Sequence, residues 1–467
     1  MKGTVTAADC APNARGMSRW AEALRTGAAY GVEDPAYEAV FLGRDLSGRP
    51  TLIGSVGRYA GMRVFVSDRR VRGEIDVDGR TLGECEIVPE NGLYGSVPFA
   101  DVFRACKILA EKLKELLGDA LAAVPLCGGI KSIVIAPREQ KIADWFIGEE
   151  ELFGTENERD FRRFSTGRFP GEIPMPERME ESGKNACGIV SAATEPATRE
   201  EYLEKLECVL DALRAGEADK VVIARKCTVT AASSFDPLAY AFYLLERYYQ
   251  TYYYIFSMGG RERWIGISPE VMIRKCGSSV YTQPLAGSVK KTGRADEDAK
   301  RKAEFAVAAK ERAEHDAVLF HMKDMLERAD IGTVFVERDK DILETPYAMH
   351  FMSELTVRLK DGVSVFDAAA ALYPPAAVWG VPEAAAERLI SQAEPFCREY
   401  YSGLFGYCTA AGNADMALVI RTAKVDGCKV GIFAGGGILK ESDAASEFDE
   451  TVQKMRPLLR YFKAEDG

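Results

Sequence analysis

Short runs of β-branched and aromatic residues, broken by turn dipeptides, fill the chain from residue 37 to residue 90. Ala39–Leu42, Arg63–Val66 and Cys85–Val88 alternate with Ser47-Gly48, Asp78-Gly79 and Asn91-Gly92, which predicts an antiparallel meander. The period then changes. Val102, Phe103, Cys106, Leu109, Ala110, Leu113 and Leu116 recur at helical spacing and predict a helix from Phe99 to Leu117, while Lys131–Ala136 reads as a further strand. From Glu149 to Lys184 charge, glycine and proline displace periodicity, so this stretch reads as a long loop or a boundary between halves.

The second half resumes with a predicted helix, Arg199–Ala215, entered through the capping-box sequence Thr198-Arg199-Glu200-Glu201. A strand over Asp219–Lys226 and an aromatic-rich helix over Phe235–Tyr249 follow. Tyr252–Phe256, Trp264–Ile267, Val271–Lys275 and Val280–Gln283 are spaced too tightly for crossover helices, which predicts antiparallel strands rather than a doubly wound parallel sheet. One long helix is expected from Asp296 to Ala329. Beyond it come a loop at Tyr373–Pro382, a helix at Pro382–Ala393, and strands at Gly403–Cys408, Ala414–Lys424 and Lys429–Phe433. Turns at Gly412-Asn413 and Asp426-Gly427 suit hairpins. No internal repeat is visible.

Ala434-Gly435-Gly436-Gly437-Ile438 reads as that last strand ending in a turn, where backbone N–H groups can approach a carboxylate or phosphate. Ser442 or Asp443 then caps a helix on which Glu447, Glu450 and Lys454 fall within roughly a 60° arc. Two acids and a lysine would share one face beside the glycines. The plain alternative is a solvated i,i+4 pair of Glu450 and Lys454.

Composition narrows the class. The 467 residues are 47% hydrophobic and 28% charged, as in a globular protein with an ample core. With 60 basic against 71 acidic side chains the net charge is -11, which argues against nucleic acid or an anionic membrane as the main partner. No run is long enough for a membrane span and Met1–Met17 lacks a signal-peptide core, so a cytoplasmic protein is expected. Eleven cysteines, no two closer than eleven residues, point to reduced and mostly buried thiols.

Seven further positions are candidates for chemistry. The buried stripe Val318, Met322, Met325 and Leu326 of the long helix extrapolates back to Glu314 and Glu311, which puts carboxylates where core is expected. With Glu447 and Glu450 they would form an oxygen-rich set suited to Mg²⁺; an exposed helix end is the alternative. Lys220 heads a strand beside Val222 and Ala224, where lost hydration would bring its amine toward neutrality and make it a base. Glu270, in Ser268-Pro269-Glu270, sits at a break between strands, as either a presented acid or a turn residue. Arg421 lies inside the apolar strand Met416–Arg421 and needs an anionic partner, a substrate carboxylate or a structural ion pair. His315 and His350 read equally well as packed core residues.

Taken in order, these segments resemble the chorismate-utilising enzymes, a family of isochorismate synthases, salicylate synthases and the large subunits of anthranilate and aminodeoxychorismate synthase. The resemblance rests on Asp219–Arg225, Ile265–Glu270, Pro284–Ser288, Lys310–His315, Tyr400–Gly403, Leu418–Arg421, Gly435–Ile438 and Glu447–Thr451, and it covers about residues 199 to 460. It implies an α+β fold like that of anthranilate synthase component I, with large antiparallel β-sheets packed as a sandwich and flanked by helices. Residues 1–185 would be a strand-rich structural half and 186–467 the chorismate-binding catalytic region.

Carried over by position, the resemblance implies that Glu314 and Glu450 ligate Mg²⁺, supported by Glu311 and Glu447. Tyr401 and Arg421 would bind the enolpyruvyl carboxylate with the Gly435, Gly436 and Gly437 backbone and Lys454. His350 would line the ring site, and Ala286, Gly287 and Ala377 would be further substrate-binding positions. Lys220 is similar to members that add water, where ammonia-using members carry glutamine, so Lys220 would be the base and Glu270 the acid of an isochorismate synthase. No glutamine amidotransferase subunit is then expected, and nothing demands a partner chain, so a monomer is the expectation. The loop Tyr373–Gly380 departs from the family's His-Pro-Thr-Pro-Ala-Val-x-Gly: Tyr373 replaces histidine, Pro375 replaces threonine, and Trp379 precedes the glycine. Ala377 matches isochorismate synthases, where salicylate synthases tend to carry threonine. A salicylate synthase that goes on to lose pyruvate is the competing reading. A nucleotide-binding or non-catalytic protein on the same scaffold is a third, without a Gly-x-x-x-x-Gly-Lys-Ser/Thr motif to support it.

Overall fold

The structure, a computed structural model, describes residues 37–463 except 45–49, 57, 59, 68–69, 88–98, 119–123, 133–139, 148–149, 156–161, 166–186, 196–197, 234, 249–250, 259–260, 345–347 and 410–411. Among the described residues, two sheets of twelve strands each face one another. In the first, Lys220–Ala231 pairs with Lys429–Ile438, which continues through Thr422–Asp426, Arg263–Gly266 and Tyr253–Met258 to Tyr37–Arg44 and Pro50–Val56. In the second, Ala348–Leu359 leads through Ser279–Thr282, Val271–Cys276, Ala414–Leu418 and Leu404–Thr409 to Pro125–Ile130 and Gln140–Ile147. Pairing is antiparallel, with Cys187–Glu195 beside Phe462–Lys463 as a parallel exception.

Alternation along the strands sends one row of side chains between the sheets. That row is aromatic: Phe41, Tyr254, Phe256 and Trp264 come from the first sheet and Phe146 and Phe405 from the second, all buried. Phe256 stacks on Phe405 with centroids 4.0 Å apart, a contact that contributes about 1 kcal/mol beyond the area buried. Helices cover the outer faces. Phe99–Leu117, Ala309–Arg328 and Val365–Leu372 pack on the second sheet; Arg199–Arg214, Pro237–Tyr248, Glu383–Ala393 and Ala444–Leu459 pack on the first. Among the described residues no helix is long and apolar enough to cross a membrane.

The chain changes sheets twice beside what becomes the site. Arg263–Gly266 lies in the first sheet and Val271–Cys276 in the second, so residues 267–270 are a corner. Ala414–Leu418 and Thr422–Asp426 repeat this in the opposite direction through 419–421. Each limb pairs with its counterpart, so together they form one antiparallel two-stranded ribbon bent across both sheets. The amide of Leu418 donates to the Glu270 carbonyl (3.3 Å) and that of Ile267 to the Arg421 carbonyl (3.1 Å), locking the two corners together.

Several expectations need correction. Strands 37–56 join the first sheet and Ala60–Ile87 the second, so the opening residues are not one meander. The helix Phe99–Leu117 stands as predicted, but Leu116 is exposed and Ala105 takes its place in the core. The strand expected at Lys131–Ala136 is instead Pro125–Ile130; 133–136 lie outside the described residues. Two strands, Glu150–Thr155 and Arg162–Ser165, interrupt the stretch expected to be loop. The long helix is two, Ala295–Ala306 and Ala309–Arg328, separated at Val307 and Ala308. Nine described cysteines are free thiols, but only four are buried, and Cys208, Cys276 and Cys397 are exposed.

Two corrections bear on the site. Gly435–Gly437 are not in a turn: they continue the strand Lys429–Ile438, in register with Val222–Ala224. Arg421 is not within a strand but at the second corner, at φ 49°.

Candidate active site

A chamber of about 170 Å³ opens where the corners meet the strand pair Lys220–Ala231 and Lys429–Ile438. Lys220, Glu270, Ala286, Gly287, Glu314, His350, Ala377, Tyr401, Arg421, Gly435, Gly437 and Lys454, scattered over 235 positions of sequence, all line it. Gly436 faces the other way, toward Glu447.

The glycines are there for space. A Cβ on Gly437 would lie 3.0 Å from Lys220 Cε, one on Gly435 would lie 2.8 Å from the Tyr401 hydroxyl, and one on Gly436 would lie 3.1 Å from Glu447 Oε2. Each keeps a volume clear for a functional side chain. On the opposite wall Gly287, at φ 69°, lets the strand run against the helix Ala309–Arg328, since a Cβ there would meet the Glu311 carbonyl at 2.6 Å.

Burial and charge set the protonation states. Burial lowers the Lys220 amine below its ordinary value, and Lys454 lowers it further, against the pull of Glu314, Glu270 and Glu450. Burial pushes the Glu270 carboxyl up to about 7 although Lys220, Lys454 and Arg421 oppose the shift. A base with an eased proton affinity and an acid that keeps its proton near neutrality thus share one chamber. Burial, with Arg421 and Lys454, lowers His350 to about 4, so its ring is neutral, with Nδ1 2.6 Å from Ser288 Oγ. Arg421 is also lowered by burial and makes no ion pair among the described residues. A desolvated guanidinium of this kind calls for an anionic ligand.

The four glutamates are placed unequally. Glu314 lines the chamber but is exposed; the buried stripe of its helix runs back through Val318 to His315, whose ring bonds Ser353 and faces the Ala286 carbonyl. Of the two readings of this helix end, the exposed one holds at Glu314, because the second sheet packs on the neighbouring position, His315. Glu311 is half-buried. Burial would raise Glu450, but the Lys454 ammonium 2.6 Å away, helped by Arg421 and Lys220, holds it low. Glu447 accepts from Ser442 through Oε1 (2.8 Å) and is raised by burial, with Glu450 and Glu314 adding to the shift.

As they stand, no three or more acidic, histidine or cysteine side chains among the described residues form a ready ligand group. Even so, Glu447 Oε2 is buried without a hydrogen-bond partner, and its carboxylate feels repulsion from two others. An orphaned carboxylate oxygen among like charges is what a hard divalent cation satisfies, so the donor set fits Mg²⁺.

A buried ion pair supports the floor and was not anticipated. Arg398 and Glu394 are both buried and bonded, Nε to Oε2 at 2.8 Å. Arg398 also donates to the carbonyls of Val378 and Val222, while Glu394 accepts from the Ala224 amide at 2.7 Å. The pair ties the loop carrying Ala377 to the strand carrying Lys220. In sequence it looks the same as any solvated i,i+4 pair. The unusual loop residues lie behind this wall: Tyr373 is buried against Phe99 and Phe103 with its hydroxyl on the Ser402 carbonyl, and Trp379 is buried against Phe99.

Residues 176–460, more than half of the chain, match the family model described as chorismate binding enzyme. The chain is 29% identical over 360 residues to anthranilate synthase component 1 of Thermococcus kodakarensis, covering 74% of this chain and 82% of that protein. It is 30% identical over 261 residues to the vibriobactin-specific isochorismate synthase of Vibrio cholerae, covering 56% of this chain and 66% of that protein. The solved structure of the menaquinone-specific isochorismate synthase from Escherichia coli superposes with a TM-score of 0.64 at 18% identity, over 95% of this chain and 99% of that one, which shows the shared fold.

Proposed function

The chain belongs to the family of chorismate binding enzymes, and from that premise we propose that it is a Mg²⁺-dependent isochorismate synthase. The observation that carries the reading is the pairing of Lys220 and Glu270 in one chamber, the first with its amine depressed and the second with its carboxyl raised to about 7.

In the proposed reaction neutral Lys220 takes a proton from a water that attacks C2 of chorismate. The ring double bond shifts, the C4–O bond breaks, and Glu270 gives its proton to the departing hydroxyl, which leaves as water. Arg421 and Tyr401 hold the enolpyruvyl carboxylate, and neutral His350, fixed by Ser288, lines the ring site without competing for protons. Bound Mg²⁺, held by Glu314 and Glu450 with Glu311 and Glu447 in support, would supply positive charge against the ring carboxylate.

Ala377 in the chamber wall favours release of isochorismate, and the departures Tyr373 and Trp379 face the core instead. The similarity to an anthranilate synthase component supports a second reading, amination at C2. Lys220 weighs against it, because a charged or proton-taking amine suits water better than ammonia. On the favoured reading the chain acts in the cytoplasm without an amidotransferase subunit. Incubation with chorismate and Mg²⁺, with and without ammonium, followed by chromatographic separation of isochorismate, salicylate and anthranilate, tests it; anthranilate or salicylate as the sole product replaces it.

A further inference from the structure

A second cavity, of about 330 Å³, opens beside the chamber and shares Pro269, Ser288, His350, Arg421 and Lys454 with it. Its remaining walls have a distinct character. Tyr248, Ile267, Val289 and Pro457 give it an apolar floor, and Lys290, Arg456 and Arg460 stand around its rim. Glu450 also lines it, 2.6 Å from the Lys454 ammonium. Lys290 and Arg456 are exposed and make no ion pair among the described residues. In a chain of net charge -11 this is a local reversal of sign, and apolar floors with a few convergent charged groups are how pockets select small amphiphilic ligands.

We propose that this vestibule is a second binding site, for a six-membered-ring carboxylate, in which the ring lies on Tyr248, Ile267 and Pro457 and the carboxylate meets Lys290 and Arg456. The proposal rests on the reading of the chamber as a chorismate site only for the identity of its natural ligand, the substrate or a related ring acid. Arg421 lines both cavities, so an anion in either draws on the same guanidinium and weakens binding in the other.

Benzoate is the probe. Calorimetric titration of the full chain is expected to give two benzoates bound per chain, and one in the charge reversal Lys290→Glu/Arg456→Glu. The neutral variant Lys290→Gln/Arg456→Gln should weaken the second site about fivefold or more. Both positions are exposed, and an unchanged thermal melt checks that the variants fold. A benzoate count that does not fall in the charge reversal overturns the proposal. Chorismate turnover measured in parallel separates the two readings: its absence from the unsubstituted chain removes the isochorismate synthase reading, while the benzoate count still decides the vestibule.

Discussion

The amide of Ile267 donates to the carbonyl of Arg421 across 3.1 Å, so the corner that presents the proposed acid, Glu270, and the corner that presents the proposed carboxylate clamp are one fastened unit. Arg421 holds φ at 49°, which turns its side chain out of the ladder and into the chamber. Arg421→Lys keeps the charge but loses the planar fork. It is expected to raise KM for chorismate by about 10- to 100-fold with a smaller loss in kcat, read from steady-state kinetics.

Lys220→Gln should lower kcat for isochorismate formation by about 10²- to 10⁴-fold, the usual range for losing a positioned base. The loss should shrink at high pH, where hydroxide replaces the missing base; a deficit that stays constant across pH would show that Lys220 serves only as a charge.

Glu270 offers a test through stability. Its carboxyl titrates at about 7 in the folded chain against an ordinary 4.5, so the folded state holds the proton more tightly than the unfolded one. Stability is then fullest below 4.5 and is lost as pH rises through 7. Glu270→Gln removes that loss. The variant should melt higher than the unsubstituted chain above pH 7, by about 1–3 kcal/mol, and no higher at acid pH, while losing turnover.

Gly436→Ala and Gly437→Ala separate spacing from amide donation. The new methyl at 437 presses on Lys220 and should cost about 10- to 100-fold in kcat with a small change in melting temperature. At 436 it presses on Glu447 Oε2, so the Mg²⁺ concentration for half-maximal activity should rise while kcat at saturating metal recovers. Chelation of Mg²⁺ should abolish turnover in both variants and in the unsubstituted chain.

Arg398→Met strands a buried carboxylate and should destabilise the fold by about 3–5 kcal/mol in denaturant unfolding. Arg398→Met with Glu394→Leu should recover much of this. Residual activity in the double variant should stay low, because neither residue then holds the Val378 carbonyl or the Ala224 amide in place.

Residue types near the site were more legible than their backbone. Lys220, Glu270 and Arg421 stand out in sequence as charges at breaks or within apolar runs, and motif order brought them together where local pattern alone could not. The corner at Arg421 was hidden because Met416–Asp426 keeps strand composition on both sides, and a change of sheet leaves no mark on a period of two. Glycines 435–437 read as a turn because conformational freedom is their commonest use; their role here, making room for Lys220, Tyr401 and Glu447, depends on residues far away in sequence. The break at Val307 and Ala308 is equally silent, both residues being compatible with a continuous helix.

Tyr37–Arg44 finds one of its two neighbours in Tyr253–Met258, and Pro125–Ile130 finds one of its two in Leu404–Thr409. As the polypeptide leaves the ribosome, its early segments must therefore wait for partners made more than two hundred residues later. Their open ladder edges need shielding during synthesis, and cutting the chain between its halves would leave two fragments that each lack a wall of the other's core.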